Sequence, residues 1–262
     1  AIPFAAIVPQ AVVEADEEHF ILNPVGSGPY QFVEWKQGDH VTMEAFDGYY
    51  AGKAETQNLI MRVIPETSQR SIALETGEID LAYDLAVNDV PKVEENPDLT
   101  AYVVPSLTCW YISMNMNKAP FDNPKVREAI NMAIDRQLII DTLNNGVGEP
   151  ADAIIAPGVF GYYSTGVTEY NPEKAKELMA EAGYADGFTT SLWVNDNQSR
   201  IEMCQAVQEM LRQINIECSV EVLEFGSYIS RTSAGEHDMG YFGWTTSSAD
   251  ADYSYYSLEH SS

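Results

Sequence analysis

Short runs of alternating apolar and polar residues are interleaved with longer runs of helical period, and their order predicts an α/β chain. After the loop Asn23–Pro29, Tyr30–Trp35 and Val41–Phe46 read as two strands around a turn at Gly38. Leu59–Ile64 reads as a strand, Thr67–Thr76 as a helix closed by Gly77, and Ile79–Tyr83 as another strand, a compact β-α-β unit. A short helix around Val90–Glu95 and strands near Thr100–Val104 and Thr108–Asn115 complete this stretch.

A second stretch opens with a strong helix signal. Asn123 is a capping residue, Pro124 suits the first helical position, and Val126, Ile130, Ala133 and Ile134 share one apolar face. The same grammar recurs at Asn171–Pro172, where Ala175, Leu178, Met179 and Ala182 form the stripe and Gly183 stops it. Phe188–Val194 reads as a strand and Arg200–Gln213 as a helix. Ile216, Cys218, Val220 and Val222 alternate as a strand, Tyr228–Ala234 is helical, and Met239–Trp244 is a last strand. Strand-helix-strand repetition implies a largely parallel sheet covered by helices. Two domains are expected, at 1–118 and 119–262, with small ligands bound in a cleft between two lobes.

Composition narrows the function. Forty acidic against fourteen basic residues give a formal charge of −26, a field that repels phosphate, so a nucleic-acid partner is excluded. The acids cluster at Glu75, Glu78, Asp80, Asp84, Asp89, Glu94, Glu95 and Asp98, which reads as a solvated face, with an acid-lined route for cationic ligands as the alternative. Cys109, Cys204 and Cys218 fit no metal or redox spacing and are expected as buried free thiols. The apolar opening Ala1–Val13 has no basic n-region and is neither a signal peptide nor a membrane span; an extracytoplasmic protein would need an export signal outside this sequence.

No catalytic constellation stands out. There is no G-x-S-x-G, nothing sets a cysteine beside a base, and no carboxylate pair is singled out as a glycosidase dyad. His19, His40, His237 and His260 lack ligand spacing, so neither a metal site nor a cofactor is expected. Binding candidates are clearer. Trp110 and Tyr111 lie on a strand that either buries them or presents them to a ligand. Asn195, Asn197 and Ser199, between a strand and a helix, suit a ligand carboxylate, although turn and capping duty explains them equally well. Trp244, Thr245, Thr246, Ser247 and Ser248 follow a strand and are rich in hydroxyls suited to hydrogen bonding.

Several motifs in order carry a resemblance. Gly26-Ser27-Gly28-Pro29-Tyr30, Gly77-Glu78-Ile79-Asp80, Met114–Arg136, Asn171–Phe188 and Gly243-Trp244 with Asp250 and Asp252 beyond are similar, in order and spacing, to signatures of the family 5 bacterial solute-binding proteins. The resemblance implies a type II periplasmic-binding-protein-like fold, two lobes with mixed, largely parallel sheets, here with an incomplete first lobe. It implies the substrate-binding subunit of an ABC importer, working outside the cytoplasm with permease and ATPase subunits and held to a membrane only through an N-terminal anchor. The expected ligand is a peptide or peptide-like small molecule. Nickel, haem or an oligosaccharide on the same fold is the alternative, and an acidic hydrolase a remote one. In the family the strand end at Trp244 bonds an extended peptide through its main chain, and peptide binders often carry an Asp just beyond the Trp for the ligand's amino group. Thr246 and Ser247 stand there instead, and the first acid is Asp250. This departure is closer to the branch that binds glutathione-like peptides.

Overall fold

The computed structural model of the chain describes residues 6–260. Part of the apolar opening, residues 1–5, and the last two residues lie outside the described residues. The chain divides into two compact units, the first ending at Ala101 and the second beginning at Tyr102. The strand Thr108–Met114, within the range 1–118 expected for the first domain, pairs along its length with Met239–Thr245 and so is part of the second compact unit.

The first unit opens with helices α1 (Gln10–Ala15) and α2 (Glu17–Leu22), the latter capped by Asp16, whose carboxylate accepts from the His19 N–H. Strands β1 (Tyr30–Lys36), β2 (His40–Ala45) and β3 (Asn58–Arg62) form an antiparallel sheet in the order β1-β2-β3. Helix α3 (Thr67–Glu75) ends at Gly77, whose φ of +71° is the left-handed geometry a C-terminal stop requires. The expected strand Ile79–Tyr83 does not form. The N–H groups of Glu78 and Ile79 both donate to the Ala73 carbonyl, which wraps the chain around the end of α3 instead of returning it beside β3. Arg70 ties down the segments on either side of α3, donating to the carbonyls of Ile64 and Asp84. Helix α4 (Val90–Glu95) comes after a 3-10 turn and is held to α3 by the Ser71 hydroxyl, 2.6 Å from Asp89 Oδ2. Without the Ile79–Tyr83 strand the predicted β-α-β unit is absent, and Thr100–Val104, expected as a further strand, belongs to no ladder either.

The second unit contains β4 (Thr108–Met114), α5 (Pro124–Ala133), α6 (Arg136–Leu143), α7 (Pro172–Glu181), β5 (Phe188–Asn195), α8 (Gln198–Arg212), β6 (Ile216–Leu223), α9 (Phe225–Ser233), β7 (Met239–Thr245) and α10 (Ala251–Leu258). Asn123, Asn171 and Asn197 cap α5, α7 and α8 with their side chains. Helices α6 and α10 are not legible as periodic runs. The sheet is mixed, in the order β4-β7-β5-β6: β4 runs antiparallel to β7, while β7, β5 and β6 are mutually parallel.

One face of this sheet buries Leu192, Val194, Ile216, Cys218 and Met239 against Val126 and Ile130 of α5, Leu178 and Met179 of α7, and Cys204, Val207 and Leu211 of α8. Each such aliphatic side chain contributes on the order of 1.5–3 kcal/mol by leaving water. The strand alternation sends Trp193 and Phe242 to the opposite face, where Tyr228 of α9 packs on Phe242 with ring centroids 5.1 Å apart. All three cysteines are free and buried, as their apolar contexts predict. Among the described residues no helix is long and apolar enough to cross a membrane.

Candidate functional site

The carboxyl ends of β5, β7 and β6 form one rim of the sheet, at Asn195, Thr245 and Leu223. Beyond β5 the chain turns sharply. The Asp196 N–H donates to the Leu223 carbonyl at 3.0 Å and the Asn197 N–H to the Asn195 carbonyl at 2.7 Å. Asn197 then caps α8 by accepting from the Arg200 N–H at 3.2 Å. This turn brings Arg200 back over the sheet. Its Nη1 donates to Asn195 Oδ1 at 2.7 Å, and its guanidinium carbon lies 4.6 Å from the centre of the Trp110 ring.

Trp110 is placed by β4. It stacks on Tyr241 of β7, centroids 5.5 Å apart and planes 12° from parallel, and crosses Gly243, which leaves room for the ring. Trp110 remains 44% exposed and so offers a flat surface. The Tyr241 hydroxyl donates to Met203 Sδ on α8, and burial holds its pKa well above the ordinary tyrosine range. Tyr111 points to the other face, where it stacks on Phe242; burial, and then Glu259, raises its pKa.

The segment after β7 is built differently. The Trp244 indole N–H donates to Ser254 Oγ at 3.1 Å and its ring stacks on Tyr253. Thr246 is fully buried, its hydroxyl 2.8 Å from the same Ser254 Oγ, while its N–H donates to the Leu107 carbonyl. Asp250 caps α10 by accepting from the Asp252 N–H at 3.0 Å. Thr245 and Ser247 are exposed, and Thr245 Oγ1 lies 2.8 Å from Thr108 Oγ1.

Main-chain polarity completes the rim. In an antiparallel pair successive residues direct their N–H and C=O to alternate sides. The Thr246 N–H faces β4, and the Tyr241 carbonyl, which accepts from the Tyr228 hydroxyl at 2.7 Å, faces away. Gly243 and Thr245 share the phase of Tyr241. The β5–β7 ladder ends at Trp193 and Gly240, so the Gly243 groups and the Thr245 N–H lie beyond the last pair, while the Thr245 carbonyl accepts from the Ser247 N–H at 2.9 Å.

The sequence matches the bacterial extracellular solute-binding proteins, family 5 Middle, over residues 1–262. The chain belongs to this family. The glutathione-binding protein GsiB of Salmonella paratyphi A is 34% identical over 258 residues, covering 96% of this chain and 50% of that protein. Among solved structures, the periplasmic binding protein DppA of Helicobacter pylori in complex with the peptide STSA superposes with a TM-score of 0.85 at 32% identity, covering 96% of this chain and 50% of that one. A dipeptide-binding protein of Pseudoalteromonas sp. SM9913 in complex with Met-Leu gives 0.84 at 25% identity, covering 97% and 52%. The chain thus has the periplasmic-binding-protein fold and spans about half the length of the curated relatives it matches.

Of the binding candidates in this family 5 chain, Trp110, Asn195 and Thr245 sit on the rim, Asn195 held through Arg200. Ser247 is exposed just beyond. Trp244 and Thr246 anchor the loop to α10, Asn197 and Asp250 serve as helix caps, and Tyr111 lies on the opposite face. Arg200 escaped the sequence reading, although it carries a signal. A cation in the first turn of a helix opposes the macrodipole, so an arginine there invites the question of what else holds it. Among the described residues no group of three or more His, Cys, Asp or Glu is disposed to hold a metal ion.

Proposed function

We propose that the protein is the substrate-binding subunit of an ABC importer that captures peptides or peptide-like conjugates outside the cytoplasm and delivers them to a membrane permease. The observation that carries this reading is the main-chain edge of β7 at Gly243 and the Thr245 N–H, which extends beyond the last β5–β7 pair beside the exposed Trp110. Such an edge accepts an extended peptide as an added strand, whose backbone bonds are indifferent to side-chain identity. Affinity then comes from the main chain, and selectivity from whatever flanks it. Relatives named for glutathione, for a tetrapeptide and for a dipeptide support a ligand with peptide bonds.

Binding alone is the expected activity, with no turnover. Calorimetry on the full-length protein with Met-Leu, Ser-Thr-Ser-Ala and glutathione tests the reading, with saturable binding of at least one expected and each ligand recovered intact. Saturable binding of nickel, haem or an oligosaccharide with none of the peptides would replace it with the alternative ligand class.

A further inference from the structure

The β5–β7 ladder stops after the pairs Leu192–Met239 and Trp193–Gly240, and a side chain stands where its next bond would form. Gly240 shares the phase of Thr246, whose N–H faces β4. The Trp193–Gly240 pair is therefore bonded through the neighbours of Gly240, Met239 and Tyr241, which accounts for the Tyr241 N–H. One step further along a parallel ladder, the Asn195 N–H would meet the Tyr241 carbonyl. The Tyr228 hydroxyl takes that carbonyl instead, at 2.7 Å.

Tyr228 is held firmly in this position. It belongs to α9, which Glu224 caps by accepting from the N–H groups of Gly226 and Ser227. It is 3% exposed, and its ring packs on Phe242. Burial holds its pKa well above the ordinary tyrosine range, so the hydroxyl keeps its proton and remains a donor. The far end of the edge is closed as well, because the Thr245 carbonyl accepts from the Ser247 N–H. Between these two stops stand the Gly243 N–H, the Gly243 carbonyl and the Thr245 N–H, on two exposed residues.

Strand geometry decides what such an edge can bind. A peptide added parallel to β7 sends one carbonyl to the Gly243 N–H. The residue two further on then gives its N–H to the Gly243 carbonyl and its carbonyl to the Thr245 N–H. An antiparallel peptide sends the first carbonyl to the Thr245 N–H, and the later N–H and carbonyl both to Gly243. Either direction uses the same ligand groups: the carbonyl of residue one, and the N–H and carbonyl of residue three. The N–H of the middle residue faces away from β7 in both.

We infer that Tyr228 is a positioning residue that wedges β5 from β7, and that Tyr228 and Ser247 confine recognition to a three-residue stretch held through two carbonyls and one N–H. The inference rests on the peptide-binding reading and deepens it. The substrate class is a short peptide whose third N–H is recognised by β7 and whose second is not.

Calorimetry on the full-length protein tests this with trialanine and two forms of it, N-methylated at residue two or at residue three. Methylation at residue three removes a recognised N–H and is expected to weaken binding at least about tenfold, which is about 1.4 kcal/mol. Methylation at residue two should leave the affinity within about threefold, because no acceptor of β7 faces that nitrogen. Tyr228→Phe keeps the ring and drops the hydroxyl. The released Tyr241 carbonyl should then take up the Asn195 N–H, so that hydrogen exchange at the end of β5 slows while trialanine weakens by at least about fivefold. A residue that merely supported the fold would quicken that exchange when altered. Faster exchange with unchanged affinity in the folded Tyr228→Phe protein therefore removes the wedge. Equal sensitivity to the two methyl groups overturns the three-residue pattern and leaves peptide binding standing. Failure of trialanine and both methylated forms to bind overturns the pattern together with the peptide reading.

Discussion

A Cβ built on Gly243 falls 2.5 Å from Cζ3 of Trp110, and the two residues face one another across the β4–β7 ladder. The glycine leaves room for the indole, which stacks with Tyr241 and carries the guanidinium of Arg200 above its ring. Three side chains of the rim thus depend on the absence of a fourth.

Gly243→Ala should therefore cost stability and alter binding together. Crowding a packed site costs about 1–3 kcal/mol, and the displaced indole would carry Arg200 with it. Urea melts of the full-length protein with parallel calorimetry measure both. A variant of unchanged stability and affinity would show that the strand yields without moving Trp110.

Ser254→Ala should loosen the loop after β7. Its hydroxyl meets both the Trp244 indole N–H and the Thr246 hydroxyl, and Thr246 is fully buried. Leaving buried polar groups unpaired costs about 1–3 kcal/mol. The Ser254→Ala/Thr246→Val pair should lose less than the sum of the single changes, because it removes one orphan. Strict additivity in a double-mutant cycle would contradict a shared network.

His237 predicts the direction of the acid response. Its Nδ1 is buried without a partner, and its ring lies between Trp193 and Phe242. Burial first, and then Lys118, lowers its pKa from the ordinary 6.5, while Asp238 opposes them. Lys118 and Arg231, paired with Asp238 and Glu236, are the neighbouring cations. The folded state holds the neutral ring, so stability is complete above the unfolded value and falls as pH drops from 6.5 towards the lowered folded value. His237→Phe should flatten the change in melting temperature across that window. An unaltered slope would show that other groups govern it.

The native protein should resist thiol reagents. Cys204 is pushed up to about 12 and Cys218 to about 11, chiefly by burial, and Cys109 is raised for the same reason. Cys204 and Cys218, so shifted, carry almost no thiolate at pH 8, and all three thiols are buried. Iodoacetamide labelling followed by mass spectrometry should find all three unmodified until denaturant is added. Rapid native labelling at Cys204 would place that helix face in solvent.

Salt should raise stability. All seven lysines and three of the seven arginines are already ion-paired, so much of the carboxylate charge has no counter-charge. Neighbouring side chains one helical turn apart are about 5–6 Å from each other, between the Debye lengths of about 10 Å at 0.1 M and about 3 Å at 1 M salt. Melting temperature should climb between those concentrations, since the exposed pairs that salt weakens contribute little. A fall over the same range would mean that the pairs outweigh the repulsion.

What the sequence determined by itself is local. Asn123, Asn171 and Asn197 announce helices because capping depends on a side chain and an N–H two or three residues ahead. The alternation of Ile216, Cys218 and Val220 announces β6 because a strand repeats every two residues, and the family signatures are read from residues close together in the chain. The tertiary structure decided whatever needs a distant partner. Ile79–Tyr83 has the pattern of a strand yet lacks a neighbour to pair with, since the end of α3 turns the chain aside. β4 lies in a stretch that chain order groups with the earlier domain, and only its ladder with β7 places it in the second. The hydroxyls after Trp244 look alike in sequence, but Thr246 is buried against Ser254 while Thr245 and Ser247 face solvent. Arg200 has no evident purpose beside Asn197 in the chain; it acquires one when the sheet brings Trp110 beneath it. Periodicity records which face of an element is buried, and a folded sheet alone records which side chains from separate elements meet at its rim.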